Sequence, residues 1–195
     1  MKEIVFVTTN EGKIKSAQKH FKNLELLPFR HELKEMRSDS VREIAEDKAR
    51  QAYNIVKKPC IAQDSGFYIK ALNGFPKVYV NLALDTIGIE GIMRLMEGIE
   101  DRRCEFRTCT SYYDGNTMKS FESFSKGHIS KAIEEIDREE QWSSLWHIYI
   151  PENFNKCLAL FSQDDFEELE KIKEKSCMVK FKEWYTSKLS SNIVI

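Results

Sequence analysis

Residues 4–13 read IVFVTTNEGK and begin with a short apolar run rich in β-branched side chains. A polar stretch follows, and polar and apolar residues then alternate with helical spacing through Phe21. This order predicts a strand, a loop and a helix. The loop carries Thr8, Asn10 and Lys13. Because the first backbone N–H groups of a helix have no partner within it, such a loop favours an anion, and Lys13 would add a full positive charge.

The same loop also has a purely structural interpretation. In that case Thr9 or Asn10 caps the helix, and Lys13 is a solvated residue of its first turn. Spacing alone favours this structural interpretation, since the loop does not match the glycine pattern of a Walker loop. A phosphate site here therefore needs support from other parts of the chain.

A second helix is predicted from Val41 to about Lys57, because apolar residues recur there at helical spacing. Ser40 followed three residues later by Glu43 forms a capping box, which explains Glu43 without any ligand. Lys48 lies five residues beyond Glu43, so the helix alone does not place the two side chains on one face. From the residues alone, the structural interpretation of Glu43 is the stronger one.

Residues 60–66 read CIAQDSG and place Asp64 just after a short strand predicted over 60–62. An aspartate at the carboxyl end of a buried strand points into the crevice where α/β folds bind ligands. An ordinary turn, in which Asp64 bonds its own backbone, explains the residues equally well. The predicted hairpin partner covers residues 67–72 and ends at a turn over 73–76.

The rest of the chain alternates helical and extended patterns. The predicted elements are helices around 80–87 and 90–96, strands over 104–113 and 118–129, an acidic loop over 134–141, a short strand at 148–150 and one long helix from Asp164 to about Leu189. Asp114-Gly115-Asn116 between the two long strands is a good hairpin turn, since Gly and Asn tolerate positive φ. The sequence therefore predicts a long antiparallel ribbon.

Length and charge restrict the classes of protein. A chain of 195 residues has the length of a single domain, 1–195, with one or two lobes. Thirty Lys and Arg against 31 Asp and Glu leave a net charge of −1, so no global field attracts a nucleic acid or an anionic membrane. No stretch approaches the roughly 20 apolar residues of a membrane span. We expect no nucleic-acid partner, no membrane partner and a phosphate site that is local.

The five cysteines lie singly along the sequence, without the paired spacing of zinc or redox motifs. Buried structural thiols are the favoured interpretation. An odd number of cysteines, in a chain large enough to manage without disulfides, fits a reducing compartment better than secretion. The start, MKEIVFVTTNEGK, reaches polar residues too early for a signal peptide. We therefore expect a cytoplasmic protein.

In combination, three segments resemble the inosine triphosphate pyrophosphatase family. The family has Thr-x-Asn-x-x-Lys after its first strand, Glu-Asn-Ala-x-x-Lys-Ala on a helix and Asp-Asp-Ser-Gly-Leu on a central strand. The matching residues, in the same order and spacing, are Thr8, Asn10, Lys13, Glu43, Ala45, Lys48, Ala49, Asp64, Ser65 and Gly66. The resemblance covers residues 4–130. It implies an α/β fold with a central mixed sheet, flanking helices and two lobes around a nucleotide cleft.

The resemblance also implies an activity and a set of roles. Such enzymes hydrolyse non-standard purine triphosphates, chiefly inosine and xanthosine forms, to the monophosphate and pyrophosphate with Mg²⁺, usually as homodimers. By position, the triphosphate is bound by Thr8, Asn10, Lys13, Ser65 and Gly66, Mg²⁺ by Glu43 and Asp64, and catalysis falls to Asp64, Lys13 and Lys48. In this scheme the lysines and the metal neutralise phosphate charge, and Asp64 orients the water that attacks the α-phosphorus.

Several positions depart from the family pattern. Gln63 replaces the first of two acids, which predicts weaker magnesium binding, and Ile44 replaces an Asn. Lys77 stands where a Gly follows the Pro, and we interpret it as a surface charge rather than a phosphate contact. These departures lie within the well-matched part of the chain, so they bear on the phosphate end of the site.

Beyond residue 130 the base-reading motifs are missing. The family has Gly-Phe-Gly-Tyr-Asp-Pro before an Ile-Phe-Ile-Pro strand, whereas residues 142–147 read WSSLWH, and 170–178 contain no Ser-His-Arg triplet. Trp142 or Trp146 is a candidate for stacking on a base, with core or interface packing as the commoner alternative. We interpret His147 as structural.

Three functions remain open on sequence grounds. The leading one is a magnesium-dependent nucleoside triphosphate pyrophosphatase with a possible change of base preference. The alternative is a degenerate relative that binds a nucleotide or a partner with little turnover, because Gln63 and the missing base readers have disabled it. The third is a related pyrophosphatase that acts on pyrimidine or modified nucleotides.

Overall fold

The computed structural model describes residues 3–21, 25–139, 141–172 and 175–191. Its strands are β1 (Glu3–Val7), β2 (Glu25–Phe29), β3 (Cys60–Ile69), β4 (Pro76–Lys77), β5 (Arg103–Tyr113), β6 (Met118–Ile129) and β7 (Tyr149–Pro151). Its α-helices are α1 (Glu11–His20), α2 (Val41–Val56), α3 (Val80–Thr86), α4 (Gly88–Leu95), α5 (Gln163–Ile172) and α6 (Cys177–Ser191). No described helix is long and apolar enough to cross a membrane.

The seven strands form one mixed sheet in the order β2-β1-β3-β5-β6-β7, with β4 paired to β3. β1 pairs in parallel with both β2 and β3, whereas β3 with β4 and β6 with β7 are antiparallel. Ile4, Val5, Phe6 and Val7 are all buried. This two-sided burial explains why β1 has an unbroken apolar run rather than an alternating one. A mixed sheet with helices confirms the predicted fold class.

The chain divides into two compact units. The first comprises Met1–Ser65, Thr108–Ser123 and Lys175–Ile195, and the second Gly66–Arg107 and Phe124–Glu174. Each has its own apolar core, built around Phe6 and Phe181 in the first unit and around Phe67 and Tyr149 in the second. The predicted single domain over 1–195 and the cleft between two lobes stay predictions.

Most predicted elements are confirmed. α2 begins at Val41, after Ser40, and ends at Val56, with Lys57 as its C-cap, close to the predicted bounds. The two helices predicted around 80–87 and 90–96 are α3 and α4, and Gly88, at φ 67°, is the first residue of α4. β5 and β6 are neighbours in the sheet and are joined by residues 114–117, a connection so short that the strands must be antiparallel. The predicted ribbon is therefore confirmed.

The predicted hairpin of residues 60–72 is wrong, because β3 is one continuous strand of ten residues. Gly66 suggested a turn, yet its role is steric. A Cβ atom at Gly66 would lie 2.8 Å from the Lys77 carbonyl oxygen and 2.8 Å from the Tyr68 ring, closer than real Cβ atoms approach. The glycine lets β4 pair with β3, where Phe67 is opposite Lys77. Asp64 consequently lies within a strand and not in a turn.

The predicted long closing helix is also wrong. Its residues form two helices, α5 in the second unit and α6 in the first, while residues 173 and 174 lie outside the described part of the chain. The Ser176 hydroxyl accepts a hydrogen bond from the Val179 amide at 3.3 Å, so a side chain caps the start of α6. The helical periodicity is present on both sides of the break because each helix packs an apolar face against a core. Phe166 and Leu169 of α5 are partly buried against the core of the second unit, and Met178 and Phe181 of α6 are buried in that of the first.

Asp114 at the tip of the ribbon links the β5–β6 turn to α6. Its carboxylate accepts hydrogen bonds from the amides of Thr117 (2.7 Å) and Asn116 (3.1 Å), from the Tyr112 hydroxyl (3.0 Å) and from the Lys188 ammonium (2.9 Å). Burial by itself would raise the pKa of Asp114, but these donors outweigh it and hold the pKa at about 2.

Asp114→Asn is expected to lower the free energy of unfolding by about 2 kcal/mol at pH 7. The folded-state pKa lies below the ordinary value of 3.8. The stabilisation is therefore complete above about pH 4 and is lost as the pH falls from 4 towards 2. Urea unfolding at pH 7 and pH 2.5 should show the difference between wild type and variant shrinking in acid. Asp85→Asn, an exposed position on α3, is the control; an equal loss there would contradict the assignment.

Candidate active site

The loop before α1 is built by its own side chains. The Asn10 side-chain oxygen accepts a hydrogen bond from the Lys13 amide at 3.0 Å and caps the helix. The Thr8 hydroxyl oxygen accepts one from the Asn10 amide at 3.1 Å. The structural interpretation of Asn10 is thereby confirmed, since sequence-local bonds shape this loop. Binding of a triphosphate by Thr8 and Asn10 stays a prediction.

Lys13 is not the solvated residue of the structural alternative. Its ammonium donates a hydrogen bond to the main-chain carbonyl of Gln63 at 3.1 Å, which joins α1 to β3. Burial lowers the pKa of Lys13, and the negative charge of Asp64 opposes that shift. Because the hydrogen-bond partner of Lys13 is a neutral carbonyl, its positive charge can attract an anion such as phosphate.

Lys48, on α2, contacts Asp64. Its ammonium donates to Asp64 at 2.8 Å and to Glu35 at 2.5 Å. The Asp64 side chain is only 10% exposed, whereas that of Glu35 is 68% exposed. Burial alone would lower the pKa of Lys48, but attraction to Asp64 and Glu35 outweighs it and raises the pKa above its usual value. Lys48 therefore stays charged and compensates the buried Asp64 carboxylate.

Glu43 makes only half of the predicted capping box. The Ser40 hydroxyl accepts a hydrogen bond from the Glu43 amide at 3.3 Å, as expected. The return bond differs: the Ser40 amide donates to the Ser38 hydroxyl oxygen at 3.0 Å, and that hydroxyl donates to the Glu43 carboxylate at 2.6 Å. The Glu43 side chain is thus tied to the preceding loop and is exposed at the start of α2.

Gln63, which replaces an acid of the family pattern, makes one contact with its side chain and another with its main chain. Its side-chain amide donates to the Cys177 sulfur at 3.3 Å, while its main-chain carbonyl holds Lys13. Because side chains alternate along a strand, Gln63 and Asp64 point to opposite faces of β3. The structure therefore brings Lys13, Lys48 and Asp64 together around a neutral neighbour.

Comparison with known proteins places the chain in a family. A model of the Ham1 family matches residues 4–182. The chain belongs to the Ham1 family. A dITP/XTP pyrophosphatase of Saccharolobus solfataricus is 37% identical over 166 residues, which cover 84% of each chain. A dITP/XTP pyrophosphatase of Methanopyrus kandleri is 34% identical over 192 residues, covering 96% of this chain and 98% of the relative.

Solved Ham1 structures share the fold. The Ham1 protein of Staphylococcus aureus has a TM-score of 0.79 at 23% identity, covering 96% of this chain and 99% of its own. A HAM1 protein of Coxiella burnetii has a TM-score of 0.79 at 19% identity, covering 96% and 100%. Family membership confirms the resemblance seen in the sequence motifs.

Two predicted binding residues of this Ham1-family chain lie further along β3. Ser65 is half-buried and is the last residue of the first segment of the first unit. Gly66 is the first residue of the second unit, where it allows the close approach of β4. Lys77 on β4 adopts φ 57°, the left-handed region that favours glycine. This backbone explains why a glycine fits at the position of Lys77. The role of Lys77 as a surface charge stays a prediction.

The two tryptophans of the rewritten segment differ in exposure. Trp146 is 5% exposed and packs against Phe166, so it is a core residue. Trp142 is 48% exposed and meets Phe106 edge-on, with ring centroids 5.1 Å apart. His147 is buried and contacts the Gln141 side chain, in agreement with a structural role. Of the two tryptophans, only Trp142 has surface available for a base.

The candidate metal ligands are oxygen donors, which suits Mg²⁺. Among the described residues, no group of three or more His, Cys, Asp or Glu side chains forms a metal cluster. Mg²⁺ is commonly held by one or two carboxylates, with water and substrate phosphates completing its shell. In the structure the Asp64 carboxylate accepts a hydrogen bond from Lys48 and the Glu43 carboxylate accepts one from Ser38, so a metal would share or replace these partners. The metal-binding role of Glu43 and Asp64 stays a prediction.

Sequence reasoning missed Glu35 and Cys177. Glu35 lies in the loop before α2, and nothing in its spacing marked it as a partner of Lys48. Cys177 was grouped with the other buried thiols, and all five cysteines are indeed buried and unpaired by disulfides. Cys177 differs because its sulfur also accepts a hydrogen bond from the Thr110 hydroxyl at 3.1 Å. Both contacts join residues that only the fold brings together.

Proposed function

We propose that this Ham1-family protein hydrolyses non-standard purine nucleoside triphosphates, such as ITP, XTP and dITP, to the monophosphate and pyrophosphate. The observation that carries the proposal is the group of Lys13, Lys48 and the buried Asp64, two cations around one carboxylate in a single unit. The names of the relatives that are 34–37% identical, dITP/XTP pyrophosphatases, support this substrate class.

The proposed roles follow from these contacts. Asp64 orients a water for attack on the α-phosphorus and accepts its proton, the α–β anhydride bond breaks, and pyrophosphate leaves. Lys13 and Lys48 stabilise the charge that develops on the phosphates. The exposed Glu35 carboxylate bonds Lys48 at 2.5 Å, so a phosphate that contacts this ammonium replaces one anion with another.

The remaining predicted ligands complete the proposed site. Thr8, Asn10, Ser65 and Gly66 contact the triphosphate, and Glu43 and Asp64 hold Mg²⁺. When bound, the metal would neutralise phosphate charge and polarise the phosphoryl oxygens. With Gln63 in place of an acid, we expect the metal to bind less tightly than it would with two adjacent carboxylates.

We further propose a homodimer in the cytoplasm. Phe75, Tyr79, Leu82 and Ile87 in the second unit are large apolar side chains that are 37–61% exposed. Exposed large apolar side chains favour a protein partner, and a second copy of the chain would cover them. Light scattering of the wild type and Leu82→Glu tests this, because the variant should have half the mass.

The buried free thiols support a reducing compartment.

The degenerate relative is the second candidate function. It is favoured by Gln63, whose amide bonds a thiol and offers no carboxylate. Release of pyrophosphate from a panel of purine, pyrimidine and modified nucleoside triphosphates with Mg²⁺ separates the candidates. Turnover of inosine or xanthosine forms supports the proposal. Turnover of pyrimidine forms alone indicates the third function, and binding without turnover indicates the degenerate relative.

Selectivity for inosine over the standard purines is expected to be weak. A site that hydrogen-bonds a distinguishing group rejects analogues strongly, because the wrong base leaves buried polar groups unpaired, whereas an aromatic face accepts every base. Residues 142–147 and 170–178 lack the family's base readers. We expect kcat/KM for ITP to exceed that for GTP or ATP by less than about 100-fold, or roughly 2.7 kcal/mol. A larger preference would mean that other residues read the base.

Trp142→Ala is expected to raise KM for every nucleotide by about tenfold and to change kcat little. Base stacking on an aromatic side chain contributes about 1–3 kcal/mol, independently of the base. Trp142→Phe keeps a stacking surface and should recover most of the affinity. KM values for ITP, GTP and UTP measure the effect. Ile136→Ala, another exposed apolar residue of the second unit, is the control; an unchanged KM in Trp142→Ala would exclude stacking.

A further inference from the structure

A chain of hydrogen bonds runs beneath Lys13 in the first unit. The Thr110 hydroxyl donates to the Cys177 sulfur at 3.1 Å, and the Gln63 side-chain amide donates to the same sulfur at 3.3 Å. The Gln63 main-chain carbonyl in turn accepts a hydrogen bond from the Lys13 ammonium at 3.1 Å. The contacts join β5, α6, β3 and α1.

Burial makes this arrangement specific. Thr110 is 0% exposed and Cys177 is 1% exposed, so water does not compete for the sulfur. The thiol accepts two donors, and each would lose a partner if the sulfur were removed. Gln63 takes part in this chain twice, because its side-chain amide contacts Cys177 and its main-chain carbonyl contacts Lys13.

The neutral amide has an electrostatic consequence. The uncharged Gln63 amide contacts the buried Cys177 thiol, so the side chain at position 63 adds no charge near Lys13. A carboxylate at position 63 would attract the Lys13 ammonium and compete with Asp64 and with an incoming phosphate. With a neutral side chain at this position, Lys13 is held by the main-chain carbonyl dipole alone, which leaves its positive charge for the substrate.

We propose that Gln63 is a positioning residue for Lys13: its side chain, anchored on Cys177 and through it on Thr110, fixes the carbonyl that holds the Lys13 ammonium in place for phosphate. The inference rests on the proposed function for the role of Lys13 in turnover. Positioning matters because the lysine side chain has four rotatable methylenes, and holding it in advance removes an entropic cost from the reaction.

The kinetic test uses variants that differ by single groups. Gln63→Leu and Cys177→Ala should each lower kcat for ITP by about tenfold and raise KM, the same pattern as Lys13→Ala in a milder form, as expected for the loss of one supporting hydrogen bond. Cys177→Ser keeps an acceptor and should recover most of the rate. Cys109→Ala removes a thiol that is also fully buried, on β5, and that bonds Ser111, so it controls for the cavity. An equal loss of kcat in Cys109→Ala would overturn the proposal.

A second comparison tests whether Gln63 acts through Lys13. In a Lys13→Met background, Gln63→Leu should cost no further activity, because the group that it positions is gone. A full additional tenfold loss in that background would mean that Gln63 acts independently of Lys13, which contradicts the proposal.

A readout without turnover separates this inference from the proposed function. In protein labelled with ¹³C-lysine, the ε-methylene signal of Lys13 is assigned by its absence in Lys13→Met. We expect that signal to shift in Gln63→Leu and Cys177→Ala, and to stay unchanged in Cys109→Ala. If the wild type releases no pyrophosphate but the shifts occur, the proposed function fails and the positioning stands. If the signal is the same in all variants, the positioning is wrong whatever the activity.

Discussion

Asp64→Asn should lower kcat by about three orders of magnitude while the protein keeps its fold. Asparagine has nearly the same shape, but it cannot take a proton from the attacking water and offers no charge to a metal. Asp64 is 7% exposed and lies in the middle of β3, so another side chain cannot readily move into its place and take over its role. The measurement is kcat for ITP at saturating Mg²⁺, with circular dichroism to verify the fold.

The variant also loses an ion pair with Lys48, and this effect has to be separated from the chemistry. Asp114→Asn is a matched control because Asp114 also bonds a lysine, Lys188, at 2.9 Å within the same unit and is outside the candidate site. It should lose stability and keep its activity. A rate for Asp64→Asn within tenfold of wild type would show that Asp64 does not orient the water.

Lys13→Ala is expected to lower kcat/KM by about 10²- to 10³-fold. Removing one preorganised donor to a developing negative charge costs this much in comparable sites. The half-buried Lys13 ammonium, held by the Gln63 carbonyl, is such a donor. Both kcat and KM are expected to suffer, because the same charge binds the ground-state phosphates and stabilises the transition state.

Steady-state kinetics with ITP and binding of inorganic tripolyphosphate measure the two effects of Lys13→Ala separately. Lys188→Ala is the control, since it removes another ion-paired lysine from the first unit. Normal turnover in Lys13→Ala at saturating Mg²⁺ would refute its role. If tripolyphosphate also bound Lys13→Ala with wild-type affinity, the phosphate site itself would have to be placed elsewhere.

The local features of the site were predictable from sequence. Asn10 caps α1 and Ser40 caps α2, because each bond joins residues three apart in the chain. The candidate roles of Glu43 and Lys13 come from the resemblance to the family motifs and stay predictions. The turn at Gly115, with φ 94°, follows from the backbone freedom of glycine.

Two predictions are wrong because they rest on local sequence patterns alone. Gly66 was assigned to a turn because glycine commonly marks turns, yet the space it provides is for a strand eleven residues further along. The sequence predicts one continuous closing helix because periodicity identifies an apolar face. Periodicity does not show which core that face packs against. α5 and α6 belong to different compact units, and no residue pattern within them specifies this.

The sequence by itself determined most helices and strands, the motif residues and the family to which they belong. The tertiary structure alone decided that Lys48 bonds Asp64, that Lys13 bonds the Gln63 carbonyl and that Gln63 bonds Cys177, contacts between residues 16, 50 and 114 positions apart. Caps and turns depend on neighbours a few residues away, which a pattern can reveal. Long-range contacts depend on strand order and on which faces are buried together, and these are fixed only when the whole chain packs.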